Sequence, residues 1–281
     1  MAGLNDWLKV DVKSRTCVLD FANFTPMKIN DAVDHTVNSI IRKYDNLYVA
    51  LSGGIDSEFI AKCLYERGVK FTPVIVDFTL NSAEVWHAYH WCYKNNVKPH
   101  TIKIEMNEVS DKFSAIALKY NVPFITAIDF IIEEYVSDNN GHLITGGAEP
   151  FDRDSVFHDR FLKSASEKLD VSSYDFAIDT AFPKKHPGNF QVFTPEFLFC
   201  MVRDMNYDKP IQLSMCEFYD VNPRPKLPYV FNVAMDQKIL NNAIRINSQI
   251  QADSIVICDR YEFLEKALNK QKIHCSYERR R

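Results

Sequence analysis

The residues best equipped for chemistry lie in one run, SGGIDS, residues 52–57, which follows the apolar stretch LYVAL, residues 47–51, without a break. Two adjacent glycines give up conformational entropy on folding, so their position at the end of an apolar run points to a backbone that is itself put to use. Amides from a Gly53-Gly54 turn and from the start of a following helix form a concavity that binds anions without a side-chain cation. The hydroxyls of Ser52 and Ser57 add donors suited to phosphate oxygens. Asp56 is the odd member, because a carboxylate beside a phosphate is repulsive unless a cation lies between them, and Mg²⁺ is the natural bridge. The plainer alternative is a glycine turn followed by an aspartate helix cap. Neither GxxxxGK followed by Ser or Thr nor GxGxxG occurs, which excludes the Walker A loop and the dinucleotide fingerprint.

The elements around this run follow from periodicity. LYVAL reads as a compact strand, residues 56–67 as a helix closed by Gly68, and residues 69–78, with their apolar VIV run, as a second strand buried on both faces. A helix over 82–96 with Ser82 as N-cap, a strand over 98–104, helices over 108–120 and 127–137, and a strand over 142–146 continue the alternation. Upstream, residues 16–21 suit a short strand and residues 30–44 a helix with Ala32, Val33, Val37, Ile40 and Ile41 on one side. Alternating strands and helices imply an α/β fold with a doubly wound parallel sheet, and the SGGIDS turn then lies at the carboxyl edge of the sheet, where open α/β folds bind ligands. Beyond Pro150 the strand signal weakens. Helices are expected near 160–169, 195–206, 234–250 and 261–271, with one strand at 254–258, so the C-terminal part is expected to be mainly helical and packed on the core. The expected organisation is a lead-in segment over 1–45, a nucleotide-binding domain over 46–150 and a substrate-recognition part over 151–281.

In this strand–loop–helix setting, SGGIDS closely resembles the pyrophosphate loop, SGGxDS, of the N-type ATP pyrophosphatases, also called PP-loop or adenine nucleotide alpha-hydrolase-like proteins. That family includes the synthetase halves of asparagine and GMP synthetases, NAD synthetase, argininosuccinate synthetase and several tRNA-modifying enzymes. The resemblance covers about residues 46–150 and implies cleavage of ATP between its α and β phosphates, adenylation of a substrate oxygen, and displacement of AMP by ammonia or an amine. By position, Ser52, Gly53, Gly54 and Ser57 would cradle pyrophosphate and Asp56 would hold Mg²⁺. Val76, Asp77 and Phe78 would line the nucleoside pocket, with Asp77 either bonding ribose or capping a turn. A second run from strand into glycines and acids, ITGGAEPFDRD over 144–154, is a looser counterpart of the family's acidic loop. There Gly146 and Gly147 would let the nucleotide approach and Glu149 would be a second metal-directed acid, while Asp152, Arg153 and Asp154 either face substrate or pair with one another. The family needs cations near the leaving pyrophosphate, and the basic, proline-stiffened loops PKKHPGN, 183–189, and NPRPKLP, 222–228, offer Lys184, Lys185, Arg224 and Lys226; solvated loops are the default reading.

Composition narrows the choice. The 281 residues carry 46% hydrophobic and 25% charged residues and a net charge of −4, so no broad attraction to nucleic acid or anionic membrane is expected, and a small base pocket is compatible with that charge. The N-terminal stretch has no apolar leader core, and no stretch reaches the roughly 18 apolar residues of a membrane span. Seven scattered cysteines form no CxxC pair, which argues for a reduced, cytoplasmic setting and against a zinc ribbon, a clustered-cysteine nitrile-forming enzyme or a paired-cysteine thiolating enzyme. Glu84, His87 and His90 recur every three residues and share a helix face, a spacing that suits a metal but more simply gives a polar edge. No cysteine lies near residue 1, so a glutaminase half is not expected, and ammonia or amine would come free or from a partner. The reading is an AMP-forming ligase that uses ATP and Mg²⁺ to activate a carboxylate or carbonyl-type oxygen of a small molecule. The alternatives are modification of a nucleobase by the same adenylation, and an ATP-binding regulatory protein without turnover.

Overall fold

The computed structural model describes residues 8–11, 16–20, 25–78, 81–105, 107–120, 127–146, 166–170, 186–206 and 208–224. In chain order these form β1 (Leu8–Asp11), β2 (Thr16–Asp20), α1 (Ile29–Lys43), β3 (Leu47–Ala50), α2 (Ile55–Glu66), β4 (Phe71–Asp77), α3 (Ser82–Lys94) and β5 (His100–Lys103). They continue with α4 (Val109–Tyr120), α5 (Ala127–Asp138), β6 (His142–Thr145), β7 (Ser166–Asp170), β8 (Gly188–Asn189), a 3₁₀ turn over Phe190–Val192, α6 (Pro195–Asp204) and α7 (Ile211–Tyr219).

Five strands make a sheet in the order β5-β4-β3-β6-β8, and every pairing in it is parallel. The chain leaves β3 toward β4 and β5, then returns to the other side of β3 for β6 and β8. The order therefore reverses between β3 and β6, the crevice at which doubly wound sheets take their ligands. Strands β1, β2 and β7 form a separate antiparallel sheet in that order.

Alternation along the strands divides the core. Leu47 and Val49 of β3 point into a cluster with α1, α2, α6 and α7, whereas Tyr48 joins Val74, Val76 and Leu143 against α4 and α5. Ile75 faces the opposite way from its neighbours and packs with Leu51, Ala61 and the Val85, Ala88, Trp91 side of α3. Both faces of the sheet are thus covered, as a parallel sheet requires. One core cluster runs from α1 through α2 to α6 and α7, and so joins residues from all three expected stretches of the chain. Its aromatic heart is Phe59, stacked on Tyr219 at 4.2 Å between ring centroids and on Phe197 at 5.7 Å, with Phe190 edge-on at 6.0 Å. Such pairs add about 0.5–1.5 kcal/mol each beyond the area they bury. Cys63, Cys92, Cys200 and Cys216 are buried free thiols, and burial pushes Cys63 up to about 12.

The alternation expected from residue 30 to residue 146 is present, with ends shifted by one or two residues. Four expectations are corrected. Ile41 is 43% exposed, because the buried stripe of α1 is Ala32, Val33, Thr36, Val37 and Ile40 and a further 100° turn carries residue 41 outward. The residue preceding α3 is Asn81, not Ser82, and its side chain makes no cap. Residues 166–170, at the end of the expected 160–169 helix, are a strand paired to β2, since tertiary pairing overrides a helical pattern in so short a segment. The part beyond residue 150 also contributes β8 to the main sheet, a two-residue edge strand too short to leave a periodic signal. The helices expected at 234–250 and 261–271 and the strand at 254–258 lie outside the described residues.

Candidate active site at the switch point of the sheet

The glycine turn is imposed by its surroundings. Gly53 has φ of +91°, and a Cβ there would lie 2.1 Å from the carbonyl oxygen of Glu84 in the first turn of α3. Only glycine meets both conditions. Gly54 then enters α2 in an extended conformation with no side chain capping the first-turn amides. Within the loop, the Gly54 amide donates to Ser52 Oγ at 3.2 Å, Ser57 Oγ donates to the Gly54 carbonyl at 3.0 Å, and the two hydroxyls lie 3.3 Å apart. Ser52 is exposed and Ser57 buried, so one hydroxyl faces solvent and the other braces the turn from inside.

Asp56 sits in the first turn of α2, where the helix dipole favours an anion. It shares a helix face with Phe59, Ile60 and Cys63, at spacings of three, four and seven, and that face looks into the aromatic cluster. Two polar side chains from far along the chain reach it there. Gln191, fully buried in the 3₁₀ turn, donates from Nε2 to Asp56 Oδ1 at 3.4 Å, and Tyr219, at the end of α7, hydrogen-bonds Asp56 through its hydroxyl. Burial, then the Asp56 charge, holds the Tyr219 phenol well above its ordinary pKa, so it stays a neutral hydroxyl.

Arg224 arrives from the loop after α7. Its guanidinium donates to the Gly53 carbonyl at 2.5 Å and pairs with Glu58, and burial lowers its pKa from the ordinary arginine value. The structure thus brings Ser52, Gly53, Gly54, Asp56, Ser57, Gly146 and Arg224 to the carboxyl ends of β3 and β6. At Gly146 a Cβ would meet Ile60 Cδ1 at 2.5 Å and the Gln191 amide at 3.2 Å, so the close approach there is between β6, α2 and Gln191.

The end of β4 is arranged differently. The Val76 carbonyl accepts from Asn81 Nδ2 at 2.8 Å and the Phe78 amide donates to Asn81 Oδ1 at 3.1 Å, so a buried asparagine holds the main-chain groups expected to meet a nucleoside. Asp77 accepts from the Tyr89 hydroxyl at 3.2 Å, and its carbonyl accepts from the Ile104 amide. Phe78 packs edge-on against Phe113 in the core. Gly147, Glu149, Asp152, Arg153, Asp154, Lys184, Lys185 and Lys226 lie outside the described residues.

His90 stacks on Trp86 at 5.1 Å, and burial, then His90, lowers the His87 pKa. Among the described residues no group of three His, Cys, Asp or Glu side chains is placed to hold a metal. His87 and His90 line a groove of about 1100 Å³ between α2, α3 and α7, which reaches Glu58 and Arg224 beside the loop. Sequence reasoning missed Gln191, Tyr219, Glu58 and Asn81. Gln191 alone left a trace, as a polar residue within the apolar run FQVF.

No family model matches the chain, and no curated protein matches its sequence. Among solved structures, it is similar to the NH3-dependent NAD synthetase of Campylobacter jejuni (14% identity, TM-score 0.39), over 87% of this chain and 94% of that one. It is also similar to an NMN synthetase of Francisella tularensis (14%, TM-score 0.38; 92% and 100% covered). A third is a predicted subunit of tRNA methyltransferase from Methanocaldococcus jannaschii (15%, TM-score 0.36; 73% and 87% covered). Overlaps this loose assign no role to any residue of this chain. Among the described residues no helix is long and apolar enough to cross a membrane.

Proposed function

We propose that this chain is a PP-loop ATP pyrophosphatase acting as an AMP-forming ligase, which adenylates an oxygen of a small molecule and passes the activated group to ammonia or an amine. One observation carries the reading. The SGGIDS turn closes the central strand at the point where strand order reverses, with Gly53 forced into a left-handed conformation and Asp56 in the first helical turn beside it.

In the reaction, a substrate oxygen attacks the α-phosphorus of ATP, and the bond to the α–β bridging oxygen breaks with its electron pair leaving on pyrophosphate. The amine nitrogen then adds to the activated carbon, loses a proton, and AMP departs. The Gly54 amide and the Ser52 hydroxyl exchange their mutual bond for pyrophosphate oxygens, a substitution made easy by the exposure of Ser52. Ser57 keeps the turn in shape from inside. Arg224, clamped on the Gly53 carbonyl, holds the loop and not the leaving group directly.

Asp56 is the residue that would hold Mg²⁺. A single carboxylate next to a phosphate cradle fits that ion, which takes one or two carboxylates and completes its shell with phosphate oxygens and water. When bound, the ion supplies charge neutralisation on the phosphates. Of Val76, Asp77 and Phe78 at the end of β4, half-buried Asp77 would border the nucleoside, while Val76 and Phe78, held through their main chain by Asn81, would back that edge from the core. Gly147 would let the nucleotide approach, Glu149 would be the second metal-directed acid, and Lys184 and Lys226 the cations for pyrophosphate. The cytoplasm, with free or partner-supplied ammonia, is the proposed setting.

The test is product analysis with Mg-ATP, ammonium and pooled small-molecule acids and nucleobases. AMP with pyrophosphate is the expected outcome, reduced at least about 100-fold in Asp56→Ala, as loss of several kcal/mol of charge stabilisation requires. ADP with phosphate overturns the reading, and ATP binding without turnover across the whole pool favours the regulatory alternative.

A further inference from the structure

The aromatic cluster beneath the phosphate loop contains two polar groups that its packing does not need. Gln191, next in sequence to Phe190, is fully buried, and Tyr219 is 1% exposed and stacked on Phe59. Leucine and phenylalanine would fill those positions without the desolvation cost of an amide and a hydroxyl. Gln191 donates from Nε2 both to Asp56 Oδ1 at 3.4 Å and to the Tyr219 hydroxyl at 3.2 Å, and Tyr219 hydrogen-bonds Asp56 in turn. The second competitor for the phenol, Met201 Sδ at 3.5 Å, is a weak acceptor. Gln191 Oε1 is buried with no hydrogen-bond partner, and it lies 3.3 Å from where a Gly146 side chain would begin. A buried amide that satisfies Asp56 with one end and leaves the other unpaired is placed for the carboxylate and not for the core.

We propose that Gln191 and Tyr219 are positioning residues that fix the rotamer of Asp56 for a divalent cation bound with nucleotide. This rests on the functional reading above. The two side chains come from the 3₁₀ turn and from the end of α7, more than 130 residues after Asp56 in sequence. The metal acid of the loop is therefore held in place by the C-terminal part of the fold. Outer partners of a ligating carboxylate typically change metal affinity 10–100-fold when removed.

The experiment is a titration of Mn²⁺ into the full chain with α,β-methylene-ATP, free Mn²⁺ being read by electron paramagnetic resonance against a nucleotide-only blank. Thermal unfolding of each variant is recorded alongside. The wild type is expected to take up Mn²⁺ beyond the blank, and Asp56→Asn to abolish that uptake. Gln191→Leu and Tyr219→Phe are expected to weaken it by about tenfold or more while their Tm stays at or above that of the wild type. Unchanged Mn²⁺ affinity in both variants, with the wild type binding, overturns the positioning role and leaves the functional reading standing. A fall in affinity that only tracks a fall in Tm overturns the positioning role in the same way. Absence of uptake by the wild type overturns the functional reading and this inference with it.

Discussion

Two neighbouring strand ends in the same sheet use their main-chain polar groups in opposite ways. At the end of β3, the Gly54 amide is paired only with the hydroxyl of exposed Ser52, a neutral bond of 3.2 Å that solvent or a ligand can replace. At the end of β4, the Val76 carbonyl and the Phe78 amide are both held by one asparagine that is 4% exposed. Opening the second arrangement strands two buried groups, at about 1–3 kcal/mol each, whereas opening the first costs little. The difference separates a strand end that is ready to receive an anion from one that is closed as a structural unit. It also assigns the flexible chemistry to the loop and the rigid support to the turn beside it.

The contrast is most severely tested at Gly53. Gly53→Ala places a methyl group against the Glu84 carbonyl in a left-handed conformation, and a loss of about 3 kcal/mol is expected, from conformational strain and overpacking together. Gly68→Ala is its control, since φ there is +65° with nothing within 4 Å, and only about 1 kcal/mol is expected. Urea unfolding measures both. Equal losses would mean that the contact with α3 does not hold the loop.

Asn81→Ala comes next, with an expected destabilisation of about 2 kcal/mol from the unpaired Val76 and Phe78 groups. Hydrogen exchange gives the local reading: the Phe78 amide should be protected in the wild type and lose that protection in the variant. The smallest effect is expected for Ser52→Ala, within about 1 kcal/mol in stability. There the Gly54 amide should already exchange fast in the wild type. A strongly protected Gly54 amide would erase the difference between the two strand ends.

Much of this architecture was legible in the residues. The run VIV marked β4 as a strand buried on both faces, and the glycine pair after LYVAL marked the end of β3, because burial and positive φ constrain residue type position by position. Edge elements were not legible. The two-residue strand β8 is too short for a periodic pattern, and β7 takes its form from pairing with β2, about 150 residues earlier. The setting of Asp56 was also hidden. Its spacing to Phe59, Ile60 and Cys63 identifies the helix face, but nothing local says that Gln191 and Tyr219 lie opposite. Arg224 was legible as a cation in a stiff loop, while its target, the Gly53 carbonyl and Glu58, was not.

By itself the sequence determined the strand, the glycine turn, the acid that follows and the alternation that sets them at the edge of a parallel sheet. These are local properties, governed by φ, burial and periodicity within a few residues. Only the tertiary structure decided which groups of the turn are already occupied, which strand end is closed, and which distant side chains hold Asp56. Those outcomes depend on packing between segments far apart in the chain, where Phe59, Phe197 and Tyr219 stack and carry Gln191 and the phenol to the carboxylate.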